Sequence, residues 1–176
     1  MELRVRHYFL LESIVFPDRT TPEFYNDFNS HLLRSLGVVP STMLLHEMFT
    51  ACTYLPWAPF DDVEALRRIS LPKGILSNWD LSLKDKLTLV FDLQFDWILG
   101  SAEHGVRKPD IAFFERIVKE TGLLPSQIAY VGDSMRLDIE PALALGLHAV
   151  LIDRDQLYPH ATMSRILTFD ALETLL

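Results

Sequence analysis

Apolar positions in the first third of the chain recur with a helical period. Phe24, Phe28, Leu32 and Leu36 follow one another at four-residue spacing, which lines one side of an α-helix. Thr21 before Pro22 is a helix-start signal with proline in the first turn, and Gly37 is a stop signal. A second helix is predicted from Ser41 to about Thr50 on Met43, Leu44, Met48 and Phe49. A third comes after Phe60-Asp61-Asp62 and carries Val63, Leu66 and Ile69. Residues 17–22 and the Pro56-Trp57-Ala58-Pro59 stretch read as loops. The first 16 residues carry both helix and strand signals: residues 7–11 suit a buried strand, or the opening of a helix to Val15.

From Pro72 onward the pattern changes. Short apolar runs at 74–78, 95–101, 128–131 and 148–153 read as strands. Between and after them, helices are predicted at 81–91, at 109–120 (Ile111, Phe114, Ile117 and Val118 inward, Gly122 as the stop), at 138–145 (closed by Gly146) and at 169–176, with residues 102–108 as a polar loop. Alternation of this kind with short connections predicts an α/β fold: a doubly wound parallel sheet with helices on both faces. Ligands of such sheets bind outside the carboxyl ends of the strands. Here those ends carry Ser77-Asn78, the chain from Ser101 onward, Asp133, and Asp153.

Charge and composition narrow the partners. The 176 residues carry a net charge of −8. That argues against a nucleic-acid or anionic-membrane surface, where basic patches are expected. An anionic small molecule stays compatible, because a bound metal and a few local cations reverse the field inside a cleft. The lone cysteine, Cys52, excludes an internal disulfide. No apolar run approaches the roughly 18–20 residues of a membrane span, and the N-terminus lacks a signal-peptide layout, so a cytoplasmic protein is expected.

The chemistry concentrates after the 128–131 run. Gly132 permits a tight exit, Asp133 sits just past the strand end, and Asp138 comes five residues later. Two carboxylates at a strand-to-helix turn suit Mg²⁺, which takes one or two carboxylates with water and phosphate oxygens. The same residues also suit N-caps of the next helix, and spacing alone leaves both roles open.

Three segments together carry a family resemblance: Leu76-Ser77-Asn78 at a strand end, Gly105-Val106-Arg107-Lys108-Pro109-Asp110 before a helix, and the stretch from Tyr130 to Asp138 continuing through Pro141-Ala142-Leu143-Ala144-Leu145-Gly146. In this order they resemble the second, third and fourth motifs of the haloacid dehalogenase (HAD) superfamily of hydrolases. The resemblance implies that Ser77 holds a phosphate oxygen, that Lys108 steadies nucleophile and phosphate, and that Asp133 and Asp138 hold Mg²⁺. Asn78 is expected to orient substrate through its amide. Trp57, Trp79 and His104 read as core or loop residues rather than as an entrance. The implied activity is a Mg²⁺-dependent phosphatase acting on a small phosphorylated metabolite; the alternatives are a phosphate- and Mg²⁺-binding module without turnover, or a haloacid dehalogenase-type hydrolase.

One departure stands out. The family's first motif, Asp-x-Asp-x-Thr or Asp-x-Asp-x-Val, supplies the nucleophile and the general acid/base. It does not occur ahead of Ser77. Residues 1–56 instead resemble the family's helical cap and 57–176 its α/β core. On that alignment the nucleophile strand is expected upstream of Met1; the competing alignment puts Leu10 and Glu12 in the motif and makes the chain inactive. Without that strand two neighbours lose backbone partners, which leaves room for a homodimer.

Overall fold

The computed structural model describes residues 21–53 and 58–176, with Cys52 and Thr53 described by backbone alone. The two readings of residues 7–15, the loop at 17–20 and Trp57 lie outside the described residues. The chain divides into two compact units, Met1–Ala58 and Pro59–Leu176.

The first unit contains α1 (Pro22–Ser35) and α2 (Thr42–Thr53). The Thr21 hydroxyl accepts from Phe24 N at 3.3 Å, so the start signal works as a side-chain cap. At the other end Gly37 takes φ +77°, Gly37 N donates to Arg34 O (3.0 Å) and Val38 N donates to Leu33 O (2.9 Å). This is a Schellman stop, which needs a residue comfortable in the left-handed region. Phe28, Leu32 and Leu33 are buried, and Tyr25 packs on Phe49 of α2 with ring centroids 5.7 Å apart.

The second unit opens with a 3-10 helix over Asp61–Arg67, where the sequence predicts an α-helix. Tertiary contacts claim its acidic start: Asp62 accepts from Arg154 Nη2 (2.8 Å) and from Phe169 N (2.8 Å). Next come β1 (Gly74–Ser77), α3 (Leu83–Val90), β2 (Trp97–Gly100), α4 (Ser101–His104), α5 (Ile111–Thr121), β3 (Ala129–Gly132), α6 (Glu140–Ala144), β4 (His148–Ile152) and β5 (Arg165–Ile166). A further 3-10 helix spans Phe169–Thr174. β1 pairs with β2, and β3 pairs with β4, which pairs with β5, all parallel. The alternating α/β fold is therefore the one expected, although among the described residues no ladder joins β1 to β3.

Side chains alternate across β4 and divide the core. Ala149 and Leu151 pack with Phe114, Tyr130, Ile139, Ala142 and Leu147 on one face. Val150 and Ile152 pack with Ile166, Leu172, Leu66, Phe169 and Val131 on the other. A strand covered on both faces is what the continuous run Ala149-Val150-Leu151-Ile152 requires. Leu76 of β1 joins the first cluster, so both sheets share one core.

Two local features differ from expectation. The predicted loop at 102–108 starts with a turn of helix, α4, which leaves β2 directly and closes at Gly105 in the left-handed region (φ +67°). The predicted helix at 138–145 begins earlier and wider, as a π-helical turn over Met135–Ile139 that leads into α6. Ser134, not either aspartate, caps it, its hydroxyl accepting from Leu137 N at 2.9 Å.

Asp110 caps α5 by accepting from Ala112 N at 3.0 Å. Asp110→Ala is expected to lower stability by about 1 kcal/mol. Thermal unfolding should show a midpoint roughly 2–4 °C lower; no change would remove the cap from the account of how α5 is placed behind Lys108.

Candidate active site at the strand ends

Three chain segments meet past the carboxyl ends of β1 and β3. The first is Asn78, just beyond β1. Its amide faces the main chain of Lys108: Asn78 Nδ2 donates to Lys108 O (3.0 Å) and Lys108 N donates to Asn78 Oδ1 (2.7 Å). The second is Lys108, in the loop between α4 and α5, joined to Pro109 by a cis peptide bond. The third is the π-helical turn after β3, which carries Asp138.

Asp138 is the centre of the site. Its side chain is 4% exposed, and Lys108 Nζ donates to its Oδ1 at 2.7 Å. The Tyr130 hydroxyl donates to the same oxygen at 2.9 Å. Ser134 N donates to Oδ2 at 3.1 Å. The π-helical turn explains this reach: both Asp138 N and Ile139 N donate to Ser134 O, so the widened turn brings the Asp138 side chain back over the end of β3. Gly132 makes room for it, since a Cβ there would lie within 2.5 Å of Asp138 Cγ.

The other expected residues lie around this centre. Ser77 ends β1, half-buried, opposite Gly100, and among the described residues none hydrogen-bonds its hydroxyl. Asp133 stands exposed between β3 and Ser134. Asn78, Lys108 and Asp138 are brought into one network, and Ser77 and Asp133 flank it at the ends of β1 and β3. Asp153 stays apart from them: its buried carboxylate accepts from Leu157 N, Tyr158 N and Arg165 Nε, closing the turn from β4 to β5. Trp79 also serves the scaffold, its N–H donating to the buried Ser101 hydroxyl at 3.0 Å and its indole N–H donating to Ser82. His104 packs against the buried Phe113 ring.

Sequence reasoning missed Tyr130 and Ser134. Tyr130 sits in an apolar run and reads as core, which its ring is; it packs 5.1 Å from the Phe114 ring centroid. Only the phenol oxygen belongs to the site. Burial pushes its pKa well above the ordinary tyrosine value, and the neighbouring Asp138 carboxylate and then Asp133 add to the shift. The phenol is thus a fixed donor at any ordinary pH.

The donor set can be tested against Mg²⁺. Among the described residues no three His, Cys, Asp or Glu side chains gather into a cage. A carboxylate offers about four lone-pair directions. Asp138 Oδ1 accepts two bonds and Oδ2 one, so the buried carboxylate keeps one direction on Oδ2, and Asp133, five residues earlier at the end of β3, is exposed. Such a set fits a largely hydrated Mg²⁺ completed by phosphate oxygens, and does not suit a metal that needs an all-protein cage.

The profile of haloacid dehalogenase-like hydrolases matches residues 29–146. The chain belongs to this family. Mouse haloacid dehalogenase-like hydrolase domain-containing protein 3 is 29% identical over 144 residues, 76% of this chain and 57% of that protein. The glyceraldehyde 3-phosphate phosphatase of Methanocaldococcus jannaschii is 41% identical over 58 residues, 33% of this chain and 25% of that enzyme. The chain spans about half the length of the mouse and bovine relatives it matches. Among solved structures, a HAD phosphatase from Thermococcus onnurineus shares the fold with a TM-score of 0.59 at 24% identity, over 90% of this chain and 74% of that one. In this haloacid dehalogenase-like chain, the stretch around Lys108 and the stretch from Tyr130 to Asp138 both fall inside the matched region. No helix among the described residues is long and apolar enough to cross a membrane.

Proposed function

We propose that the strand-end site binds the phosphate of a small phosphorylated metabolite together with Mg²⁺, and that the chain serves a phosphatase of small phosphate esters. The observation that carries this reading is Lys108: a cation on a loop, 16% exposed at its side chain, anchored on one side to a buried carboxylate. Phosphoryl transfer needs little from a protein beyond positioning and neutralisation of charge on the phosphate oxygens. The Lys108 ammonium supplies a point charge and the Ser77 hydroxyl a donor. Asp133, with the open direction of Asp138, would hold Mg²⁺. When bound, Mg²⁺ neutralises phosphate charge and orients the oxygens. The phosphatases among the relatives support the same substrate class. We read 1–56 as the helical cap segment and 57–176 as the α/β core, the setting as cytoplasmic, and neither nucleic acid nor membrane as a partner; a homodimer is the assembly to look for.

A second reading has its own support. No Asp-x-Asp pair stands ahead of Ser77 to act as nucleophile and acid/base, so a site that binds phosphate and Mg²⁺ without turnover accounts for the residues equally well.

Calorimetric titration with inorganic phosphate in the presence of Mg²⁺ tests what the two readings share. Lys108→Met should weaken binding by about tenfold to a hundredfold, the value of a lost charge-assisted hydrogen bond. Asp133→Asn should abolish the Mg²⁺ dependence. Phosphate binding that ignores both substitutions sinks both readings. Mg²⁺-dependent release of phosphate from p-nitrophenyl phosphate, abolished by Asp133→Asn, then selects the phosphatase; binding without release selects the second reading.

A further inference from the structure

A lysine on a loop has a long, freely rotating side chain, and a useful cation at a phosphate site has to be held still. Lys108 is held at both ends. At the main chain, Asn78 presents a donor and an acceptor to the same residue, as a neighbouring strand would. Both functional groups of the amide are therefore engaged with Lys108. At the ammonium, Asp138 Oδ1 is shared between Lys108 and the Tyr130 hydroxyl. Tyr130 is 8% exposed, its ring fixed in the core against Phe114, and Asp138 is the hydrogen-bond partner of its hydroxyl. Among the described residues the one hydrogen bond of that hydroxyl goes to the carboxylate that anchors the lysine.

We propose that Tyr130 and Asn78 are positioning residues for Lys108: Tyr130 fixes the ammonium through Asp138, Asn78 fixes the main chain, and neither touches the phosphate. The phosphate part of this rests on the function proposed above; the hold on Lys108 does not. The relation is directional. Removing Tyr130's hydroxyl or Asn78's amide matters to phosphate only while Lys108 is present to be misplaced.

A double-mutant cycle exposes this dependence. Tyr130→Phe and Asn78→Ala should each weaken binding of inorganic phosphate by about threefold to tenfold, the range of one ordinary hydrogen bond. In the Lys108→Met background each should change it by less than about twofold. Equal losses in both backgrounds would overturn the proposal, since the residues would then be contacting phosphate or acting on the fold at large. A second readout needs no phosphate. In lysine-15N protein, at low temperature and mildly acidic pH, hydrogen exchange of the Lys108 ammonium should speed up about threefold to tenfold in Tyr130→Phe, the same loss of one hydrogen bond read as more frequent opening. Thermal unfolding of each variant checks that the fold persists. Unchanged Lys108 exchange overturns the proposal whether or not phosphate binds. Failure of the unsubstituted protein to bind phosphate, with Lys108 exchange still accelerated, overturns the proposed function and leaves the positioning network standing.

Discussion

Asp138→Ala is expected to lower the thermal unfolding midpoint by roughly 6–12 °C, more than any other substitution at a charged residue of the site. The carboxylate accepts three bonds at once, from Lys108 Nζ, the Tyr130 hydroxyl and Ser134 N. Truncation leaves each donor without its acceptor. The ammonium is the largest loss, because breaking a buried ion pair from one side costs about 3–5 kcal/mol. Lys108 keeps 16% side-chain exposure and has some access to water, so the lower end of that range applies. The phenol is worse placed: Tyr130 is 8% exposed and its hydroxyl sits in the core. An orphaned buried hydroxyl costs about 1–3 kcal/mol, though the losses overlap because the groups share one partner. A total of about 3 kcal/mol at roughly 2–4 °C per kcal/mol gives the stated shift. Tyr130→Phe in the same assay should cost only about 1 kcal/mol, because it removes donor and bond together and leaves no orphaned proton. A midpoint for Asp138→Ala within 2 °C of the unsubstituted protein would mean that Asp138 does not tie the site together.

How much of this was legible in the sequence differs by element, for physical reasons. Local signals read well. Thr21-Pro22 and Gly37 bracket α1 because capping depends on a few adjacent residues. β1, β2 and β4 lie inside the predicted runs, and β3 runs one residue past its own, to Gly132, because buried strands need continuous apolar stretches. β5 went unseen: Arg165–Ile166 is too short for any periodicity and exists through pairing with β4. The segments at Asp61–Arg67 and Phe169–Thr174 carry helical spacing yet are 3-10 helices. Asp62 and the backbone of Phe169 are tied to one another there, a contact 107 residues apart in sequence. Asp138 was legible from its place after a strand, although spacing alone left a capping role open; Lys108 was found only through its resemblance to a motif, since nothing local distinguishes a functional loop lysine from a solvated one. The Asn78 clamp is also out of reach of local reading, with 30 residues between its partners. Tyr130 left one faint signal: a lone hydroxyl-bearing aromatic in an apolar strand needs a partner when buried, and the carboxylates after the strand were the nearest acceptors.

Gly132→Ala should damage the site as severely as loss of Asp138, although the added group is a single methyl. Gly132 ends β3 and pairs with Leu151 of β4, so the ladder holds its backbone in place. Its need for glycine is one of space and not of backbone conformation. A Cβ would overlap Asp138 Cβ, lie within 2.5 Å of Cγ and sit 2.9 Å from Oδ2. The obstructing atoms include the root of the side chain, so no rotation of Asp138 relieves the contact. Either β3 or the π-helical turn has to shift. Overpacking of this kind costs about 1–3 kcal/mol, and more where a network breaks with it. Here any shift of Asp138 drags it from Lys108, Tyr130 and Ser134 together. We expect a loss of about 3–5 kcal/mol in stability, together with loss of the phosphate binding proposed above. The steric origin has its own check. In an Asp138→Gly background the obstructing Cβ and Cγ are gone, so Gly132→Ala should add little there. The double substitution should then cost less than the sum of the two singles by more than about 1 kcal/mol. Strict additivity in denaturant unfolding would show that Gly132 serves the strand and not the seat of Asp138.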